Sequence, residues 1–229
     1  MGTFFQAFGE ADFFGKLIYF ALFALSCASW IFIIQKWLFI KKLKSGANRF
    51  KKMAEVKKDE LLNLKSHSRN PMSILYNTLK EKTVALLDKN HYFSLESTNF
   101  LSKNDIEFLE SHLQTTIAKE REKIEKNLFI LSTAVPLAPF IGLLGTVWGI
   151  LVTFGEMQAG HSITSSTVIL GGLSTALTTT VLGLLIAIPA LIANNMIKNA
   201  SKLLTLEMVD FSLFLLSTVE MQYRKVDVR

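Results

Sequence analysis

Threonine and serine side chains recur along two long uncharged stretches of the sequence, where their spacing could line a path for protons. On the first stretch, one helical stripe contains Gly142, Thr146, Gly149 and Thr153. On the second, Thr167, Gly171, Ser174 and Thr178 form a stripe that is widened by Thr175, Thr179 and Thr180. Hydroxyl groups hold and orient water, but they do not titrate near neutral pH. A single membrane threonine usually bonds to its own helix, so only the two stripes together indicate a polar path.

The helices that position these hydroxyls are predicted from the charge pattern. Residues 127–155 include no charged side chain, and residues 157–197 are also free of Asp, Glu, Lys and Arg. A helix of about 20 apolar residues crosses a bilayer core of ~30 Å, so each stretch is long enough to span it. A third uncharged run covers residues 17–35. We therefore predict an all-α membrane protein with three transmembrane helices, the second and third with long cytoplasmic helical extensions.

The missing charges also bear on mechanism. No Asp, Glu, Lys or Arg lies within either hydroxyl-bearing span, although ionisable groups inside the membrane are the expected carriers of proton transfer. If this protein moves protons, the titrating group must therefore come from a partner helix seated in the hydroxyl-lined groove.

Small residues and prolines predict how the two spans pack. Gly145 and Gly149 form a small-xxx-small pair, which lets membrane helices approach closely. Pro136 and Pro139 fall in the first half of one span, and Pro189 falls late in the other. Each proline removes a backbone donor and can kink its helix.

The positions of Lys and Arg predict the topology. Residues 1–15 and the turn at 155–166 have none, whereas residues 36–126 contain 19 and the tail after residue 197 contains 5. By the positive-inside rule, both the N-terminus and the turn lie outside. The resulting boundaries are an outer N-terminus (1–15), transmembrane helix 1 (16–40), a cytoplasmic helical segment (41–126), transmembrane helix 2 (127–155), a periplasmic turn (156–165), transmembrane helix 3 (166–193) and a cytoplasmic C-terminal helix (194–229). The net charge of +6 is thus a topology signal and does not indicate nucleic-acid binding.

The cytoplasmic segments read as amphipathic helices. Asn70 followed by Pro71 predicts a helix start, and Asn104 with Glu107 resembles a capping box. No Pro or Gly occurs from Asn104 to Ala134, so we expect one helix to run directly into the second span. The apolar positions expected on its inner face are Ile106, Leu109, Leu113, Ile117, Ile124 and Leu128. In the C-terminal helix, the expected apolar face is Leu203, Leu206, Val209 and Leu213.

Other functions fit the sequence less well. Gly172-Leu173-Ser174 has the Gly-x-Ser pattern of intramembrane serine proteases, but all four histidines (67, 91, 112 and 161) fall outside the spans, so no membrane base is available. A secondary transporter would be small and without a visible inverted repeat. One cysteine excludes an internal disulfide, and no metal, cofactor or catalytic residue is predicted. A passive helix-packing scaffold without ion flux remains the principal alternative.

Two blocks resemble the MotA/TolQ/ExbB proton-channel family. Residues 138–150 read APFIGLLGTVWGI, residues 176–184 read ALTTTVLGL, and residues 187–190 read AIPA. The match is close over residues 127–197 and rests on topology elsewhere. The short outer N-terminus and the total length are most similar to the TolQ branch.

The resemblance implies a pentameric ring in the bacterial inner membrane around a single-span TolR/ExbD-like partner whose membrane Asp carries protons. It places Thr146 and Thr180 near that Asp, and Ser174, Thr175 and Thr178 along the pathway. Members usually have Glu where this sequence has Thr175, so no role for a carboxylate there is transferred. Helix packing and partner contact are expected of Pro139, Gly142, Gly145, Trp148, Gly149 and Gly183.

Overall fold

Five long helices run through the described part of the chain. The structure is a computed structural model, and it describes residues 7–9, 11–57, 62, 64, 70–93, 100–158 and 166–223, with the backbone alone at 93 and 166–169. The helices are α1 (Phe13–Val56), α2 (Pro71–Phe93), α3 (Lys103–Glu125), α4 (Leu128–Gln158) and α5 (Ser166–Tyr223). Since no strand occurs in these residues, the predicted all-α class is confirmed.

Some predicted features lie outside the described residues. They are most of the outer turn, residues 159–165, together with the side chain of Thr167 and the basic residues Arg224, Lys225 and Arg229. In the described part, α4 continues to Gln158, past the predicted end of its span at residue 155.

Three of the helices are long and apolar enough to cross a membrane, as predicted: Phe13–Val56, Leu128–Gln158 and Leu170–Tyr223. Two of them extend well beyond a bilayer, because α1 has 44 residues and α5 has 58. Pro136, Pro139 and Pro189 all lie inside continuous helices.

The chain divides into two compact units. The apolar unit consists of residues 1–37 and 127–197, and the polar unit of residues 38–126 and 198–229. Pro71 begins α2, and Asn70 accepts a hydrogen bond from the Ser73 N–H at 2.8 Å, which confirms the predicted cap. The polar unit has its own apolar core, whose largest fully buried side chains are Tyr76, Phe211, Met72, Leu75, Leu79, Leu101, Leu109, Leu113 and Ile124.

Tyr76 shows how the polar unit accommodates a buried hydroxyl. Its ring is fully buried, and its hydroxyl donates to the Leu64 carbonyl at 2.9 Å. Burial raises the pKa of Tyr76, and the hydrogen bond to Leu64 partly offsets that effect. The phenol therefore stays neutral and anchors Leu64 to α2.

The predicted inner face of α3 is confirmed, whereas its predicted cap is wrong. The buried residues of the helix are Ile106, Leu109, Leu113, Ile117, Glu120 and Ile124. The N-cap is Ser102, whose hydroxyl accepts from the Asp105 N–H while the Asp105 carboxylate accepts from the Ser102 N–H at 2.9 Å. This reciprocal pair lies two residues before the predicted Asn104–Glu107 pair.

The predicted continuous helix from Asn104 to Ala134 is also wrong. Helix α3 ends at Glu125, and α4 begins at Leu128 after a turn at Lys126 and Asn127. Asn127 has φ 65°, a left-handed conformation that asparagine tolerates better than most residues. Neither Gly nor Pro was needed to stop the helix.

The C-terminal part of α5 buries a different face from the one predicted. Leu203, Leu206, Val209 and Leu213 are each at least 38% exposed, so their assignment to the inner face was wrong. The buried stripe is Leu204, Met208, Phe211, Leu215 and Val219. Both stripes are apolar at helical spacing, and the packing partners in the polar unit select one of them.

The capping box on α3 gives a pH-dependent prediction. Burial would raise the pKa of Asp105, but hydrogen bonds from Ser102 and Asn90, with the charge of Lys89, hold it below its ordinary value of 3.8. A lowered folded-state pKa stabilises the fold above that ordinary value, and the contribution is lost as the pH falls through the folded pKa. We expect Asp105→Ala to cost about 1–2 kcal/mol at pH 7.

Thermal unfolding in detergent at pH 7 and below pH 3.8 checks this expectation, with Glu107→Ala as the matched control. Glu107 makes only an exposed ion pair with Lys103 at 3.9 Å, so its removal should cost less than about 0.5 kcal/mol. Equal losses for the two variants would contradict the assignment of the cap, as would a deficit of Asp105→Ala that stays constant with pH.

Candidate functional site: the hydroxyl-bearing helix pair

Helices α4 and α5 of the apolar unit meet along a line of small residues. On α4 the buried line is Ala138, Gly142, Gly145 and Gly149. On α5 the facing residues are Gly172, Ala176, Thr179 and Gly183. The predicted close approach of the two spans is therefore present in the structure, and we name these eight residues the seam.

The glycines of the seam are required by backbone contact. A Cβ atom on Gly183 would lie 2.6 Å from the Ala138 carbonyl oxygen, and one on Gly142 would lie 2.9 Å from the Thr179 carbonyl oxygen. On Gly149, a Cβ would lie 3.0 Å from the Gly172 carbonyl oxygen. Because main-chain atoms cannot rotate away, any side chain at these positions forces the helices apart.

Two threonines of α5 direct their hydroxyls to the seam. The Thr180 hydroxyl donates to the Gly142 carbonyl across the helix pair at 3.0 Å. Thr179 is 1% exposed, and its hydroxyl lies 2.8 Å from the Ala176 carbonyl and 3.3 Å from the Gly142 carbonyl. A hydroxyl has a single proton, so the shorter contact, within α5, takes it. The lone pairs of the Thr179 oxygen therefore face Gly145, and a Cβ atom on Gly145 would collide with that oxygen.

Thr175 contacts the N-terminal segment. Its side chain is buried, and the hydroxyl donates to the Ala7 carbonyl at 3.1 Å. Gly15 lies beside this contact, and a Cβ there would lie 2.9 Å from the Asp12 Oδ1 but at an ordinary 4.0 Å from the Thr175 Cγ2. The N-terminal turn is therefore held against one end of the α4–α5 pair.

The remaining predicted pathway residues do not gather at the seam. The Thr146 hydroxyl donates to the Leu143 carbonyl of its own helix at 2.7 Å, and this bond is solvent-exposed. Ser174 is exposed and Thr178 is half-buried, both on the opposite side of α5 from Gly183 and Ala176. Pro139 is half-buried in α4. Gly142, Gly145, Gly149 and Gly183, by contrast, all lie on the seam, and the Thr180 hydroxyl reaches it at Gly142.

A second polar contact joins α4 and α5 near the opposite end of the pair. The Ser132 hydroxyl donates to the Asn194 Oδ1 at 3.2 Å, and Asn194 is 5% exposed. Pro136 has no N–H to donate to the Ser132 carbonyl. That carbonyl is therefore left without its usual bond within the helix, which makes α4 more polar here than its apolar composition suggests. The sequence analysis placed a domain boundary at Asn194 and missed this contact.

Asp12 is the other functional candidate that the sequence analysis missed. Its Oδ2 accepts from the Trp148 Nε1–H at 2.9 Å, and its Oδ1 accepts from the Gly15 N–H at 2.8 Å. The Phe14 ring lies 4.3 Å from the Trp148 ring. A signal was available: Asp12 directly precedes the apolar run, as an N-cap does, and Gly15 occupies the third position of α1. Trp148, predicted to pack and to contact a partner, packs on its own N-terminal segment.

These residues line an open cavity of about 130 Å³. Its lining includes two carboxylates, Asp12 and Glu156, and three hydroxyl side chains, Thr153, Thr175 and Thr179. Trp148 and the seam residues Gly145, Gly149 and Gly172 complete the wall. The cavity therefore leads from the end of the helix pair, where carboxylates lie, to the buried hydroxyl of Thr179.

The sequence profile of the MotA/TolQ/ExbB proton channel family matches residues 71–210. The match includes α2, α3, all of α4 and most of α5, so it covers more than half of the chain. It also contains the whole seam.

Individual relatives agree with that match. The chain is 39% identical over 92 residues to the Tol-Pal system protein TolQ of Pseudomonas aeruginosa, an alignment covering 40% of this chain and 39% of the relative. It is 39% identical over 114 residues to the biopolymer transport protein ExbB of Helicobacter pylori, covering 50% and 74%. It is 30% identical over 176 residues to the ExbB protein of Xanthomonas campestris, covering 76% and 69%.

Proposed function

The chain belongs to the MotA/TolQ/ExbB proton channel family, and we propose that it is a proton-channel and motor subunit of the bacterial inner membrane. In this proposal it assembles as a homo-oligomer, a pentamer, around a single-span TolR/ExbD-like partner. The partner supplies a membrane Asp, and the complex uses the proton-motive force to energise an envelope process, either outer-membrane integrity or import. It works by conformational coupling and not as an enzyme.

The observation that carries this proposal is a pair of hydroxyls at the seam, on helices whose spans have no ionisable group. Thr179 and Thr180 place hydroxyls beside the Gly142 carbonyl deep in the α4–α5 pair, while residues 127–155 and 157–197 have no Asp, Glu, Lys or Arg. Hydroxyls lower the cost of holding a charge in an apolar medium, yet they do not carry a proton at neutral pH. The half-buried Thr180, at the edge of the seam, suits a carboxylate brought by another helix.

The outer faces of the same helices support an assembly. Large apolar side chains are exposed on both, including Val147, Leu151 and Phe154 on α4 and Leu177, Val181 and Leu184 on α5. Exposed apolar surface of this extent must contact lipid or other membrane helices. Copies of the chain and a partner helix would cover it in a ring.

The energy available is sufficient for a mechanical step. Moving one elementary charge through 100 mV releases about 2.3 kcal/mol. Protonation of the partner Asp removes its charge, which changes its affinity for the hydroxyl-bearing surface, and the ring then moves to the next arrangement.

The distribution of Lys and Arg supports an orientation for the chain. By the positive-inside rule, the basic segment 36–126 lies in the cytoplasm and the Asp12 end of the helix pair in the periplasm.

Co-expression tests the assembly directly. This chain should be purified in detergent together with a single-span protein that carries an Asp in its membrane helix, and the mass of the complex measured. A ring of several copies enclosing the partner is the expected result. A stable ring that never retains such a partner would instead favour the passive scaffold, which the glycine seam alone would also explain.

The hydroxyls of the helix pair provide a residue-level prediction. We expect Thr180→Val to reduce proton flux by about tenfold or more, because it deletes the hydroxyl between the two helices at nearly constant volume and leaves no polar replacement. Thr146→Val should also reduce flux, because in this proposal its hydroxyl faces the Asp of the partner. Flux into liposomes, measured with a pH-sensitive dye, checks both variants.

Thr133→Val is the matched control, because the exposed Thr133 hydroxyl donates to the Phe129 carbonyl of its own helix. It should assemble and conduct like the wild type. If Thr146→Val and Thr180→Val both assembled normally and kept full activity, the assignment of this site would be wrong.

A further inference from the structure

We propose that Asp12 is the proton-handling carboxylate at the outer end of the α4–α5 pair, passing protons between the aqueous phase and the cavity that leads to Thr179. This inference rests on the proposed function, because it assigns a residue to the same proton pathway. It concerns a carboxylate of this chain and not the Asp of the partner.

The position of Asp12 is fixed from two directions. The N–H of Gly15 and the Nε1–H of Trp148 donate to different oxygens of the carboxylate, at 2.8 Å and 2.9 Å. A carboxylate has about four acceptor sites, so both oxygens keep capacity for water or a proton. The bond to Trp148 joins the N-terminal segment to α4, which a helix cap alone would not require.

The cavity next to Asp12 provides the route inward. Its volume of about 130 Å³ has room for several water molecules, each of which occupies about 30 Å³ in the liquid. Thr153 donates to the Gly149 carbonyl at 2.8 Å and Thr175 to the Ala7 carbonyl at 3.1 Å. Since both hydroxyl protons are committed, the two oxygens present acceptor sites to the cavity, as does the deeper Thr179.

The charged neighbours distinguish Asp12 from the second carboxylate of the cavity. Glu156 lies at the exposed end of the same lining, near the C-terminal end of α4. Asp12, by contrast, is held by the indole of α4, and the cationic residue Lys16 follows it by one helical turn, with its backbone N–H donating to the Asp12 carbonyl at 3.0 Å. Glu156 lies two residues from the end of its own helix. We therefore assign proton transfer to Asp12 and use Glu156 as the control.

The N-cap role of Asp12 can be separated from the proposed role by the choice of variant. Asn and Ser cap helices about as well as Asp, but neither carries a titratable carboxylate. Asp12→Asn and Asp12→Ser should therefore keep the start of α1, but each loses the second oxygen that accepts from the Trp148 Nε1–H. Both should lower proton flux by about a hundredfold, the lower end of what a positioned proton-transfer group contributes.

The test is proton flux into liposomes containing the complex of this chain with its single-span partner, followed with a pH-sensitive dye. Wild type, Asp12→Asn, Asp12→Ser and Glu156→Gln are compared, and Glu156→Gln should conduct like the wild type. Trp148→Phe removes the indole bond to Asp12 but keeps the carboxylate, so it should lose at least about threefold less flux than Asp12→Asn.

The outcomes separate the two proposals. A wild-type complex without flux overturns both the proposed function and this inference. Wild-type flux that persists in Asp12→Asn and Asp12→Ser overturns only this inference, as does a loss confined to Glu156→Gln. Equal losses of flux in Trp148→Phe and Asp12→Asn would also overturn it, because the deficit would then follow the lost indole bond and not the missing carboxylate.

Discussion

Replacement of Gly183 by leucine is expected to force α4 and α5 apart and to cause a large loss of stability in the apolar unit. A Cβ at this position would lie 2.6 Å from the Ala138 carbonyl oxygen and 3.4 Å from the Gly142 Cα. These are main-chain atoms, so no rotamer change relieves the collision. Overpacking typically costs about 1–3 kcal/mol of the free energy of unfolding, and we expect a loss of about 3 kcal/mol here. For a chain of this length, that loss corresponds to a fall in Tm of about 6–12 °C.

Thermal unfolding in detergent measures this loss, and Gly155→Leu is the matched control in α4. A Cβ on Gly155 would meet nothing within 4 Å, so this variant should melt within about 2 °C of the wild type. Proton flux of any complex that still assembles gives an independent readout. Similar Tm values for the two variants would show that the helices do not meet along the seam.

Replacement of Phe211 by alanine is expected to have the largest effect in the polar unit. Phe211 is fully buried, with its ring 6.2 Å from that of Phe50 and 6.1 Å from that of Phe214. Truncation of a buried phenylalanine leaves a cavity and costs about 3–5 kcal/mol. The free energy of unfolding of the purified chain should fall by that amount.

Leu213→Ala is the control, because Leu213 lies two residues away on the same helix and is 54% exposed. We expect it to change the free energy of unfolding by less than about 0.5 kcal/mol in the monomer. This pair also distinguishes the two apolar faces of α5. A larger loss for Leu213→Ala than for Phe211→Ala would show that the face predicted from the sequence is the inner one after all.

The elements that sequence reasoning identified are those with one dominant physical signal. The uncharged stretches identified the membrane helices, and the spacing of Ile106, Leu109 and Leu113 identified the inner face of α3. The C-terminal part of α5 was different, because its apolar residues surround the helix. Leu213 and Phe211 both fit a helical stripe, and only contact with Phe50 and the rest of the polar core selects Phe211.

Local backbone chemistry limited the prediction of boundaries. The turn between α3 and α4 depends on Asn127 adopting φ 65°, a choice open to asparagine that neither composition nor periodicity reveals. The cap of α3 had two candidate pairs, Ser102–Asp105 and Asn104–Glu107, with the same spacing. The additional bond from Asn90 to the Asp105 carboxylate at 3.1 Å comes from another helix and favours the first pair.

The candidate site was partly predictable for the same reasons. Small residues at helical spacing indicated the seam, and Thr180 was identified from its position in the second hydroxyl stripe. Whether a threonine bonds to its own helix or to a neighbour depends on tertiary contact, which separates Thr146 from Thr180. Asp12 escaped notice because its partner, Trp148, is 136 residues away in the sequence.

The most direct test of the central claim is proton flux through the purified complex of this chain with its single-span partner, reconstituted in liposomes. Wild type should conduct protons, and replacing the membrane Asp of the partner by Asn should abolish that flux while leaving the mass of the complex unchanged. The charge-free seam of α4 and α5 predicts this dependence. Flux that persists in the Asp→Asn complex, or a complete ring that never conducts, would contradict the account.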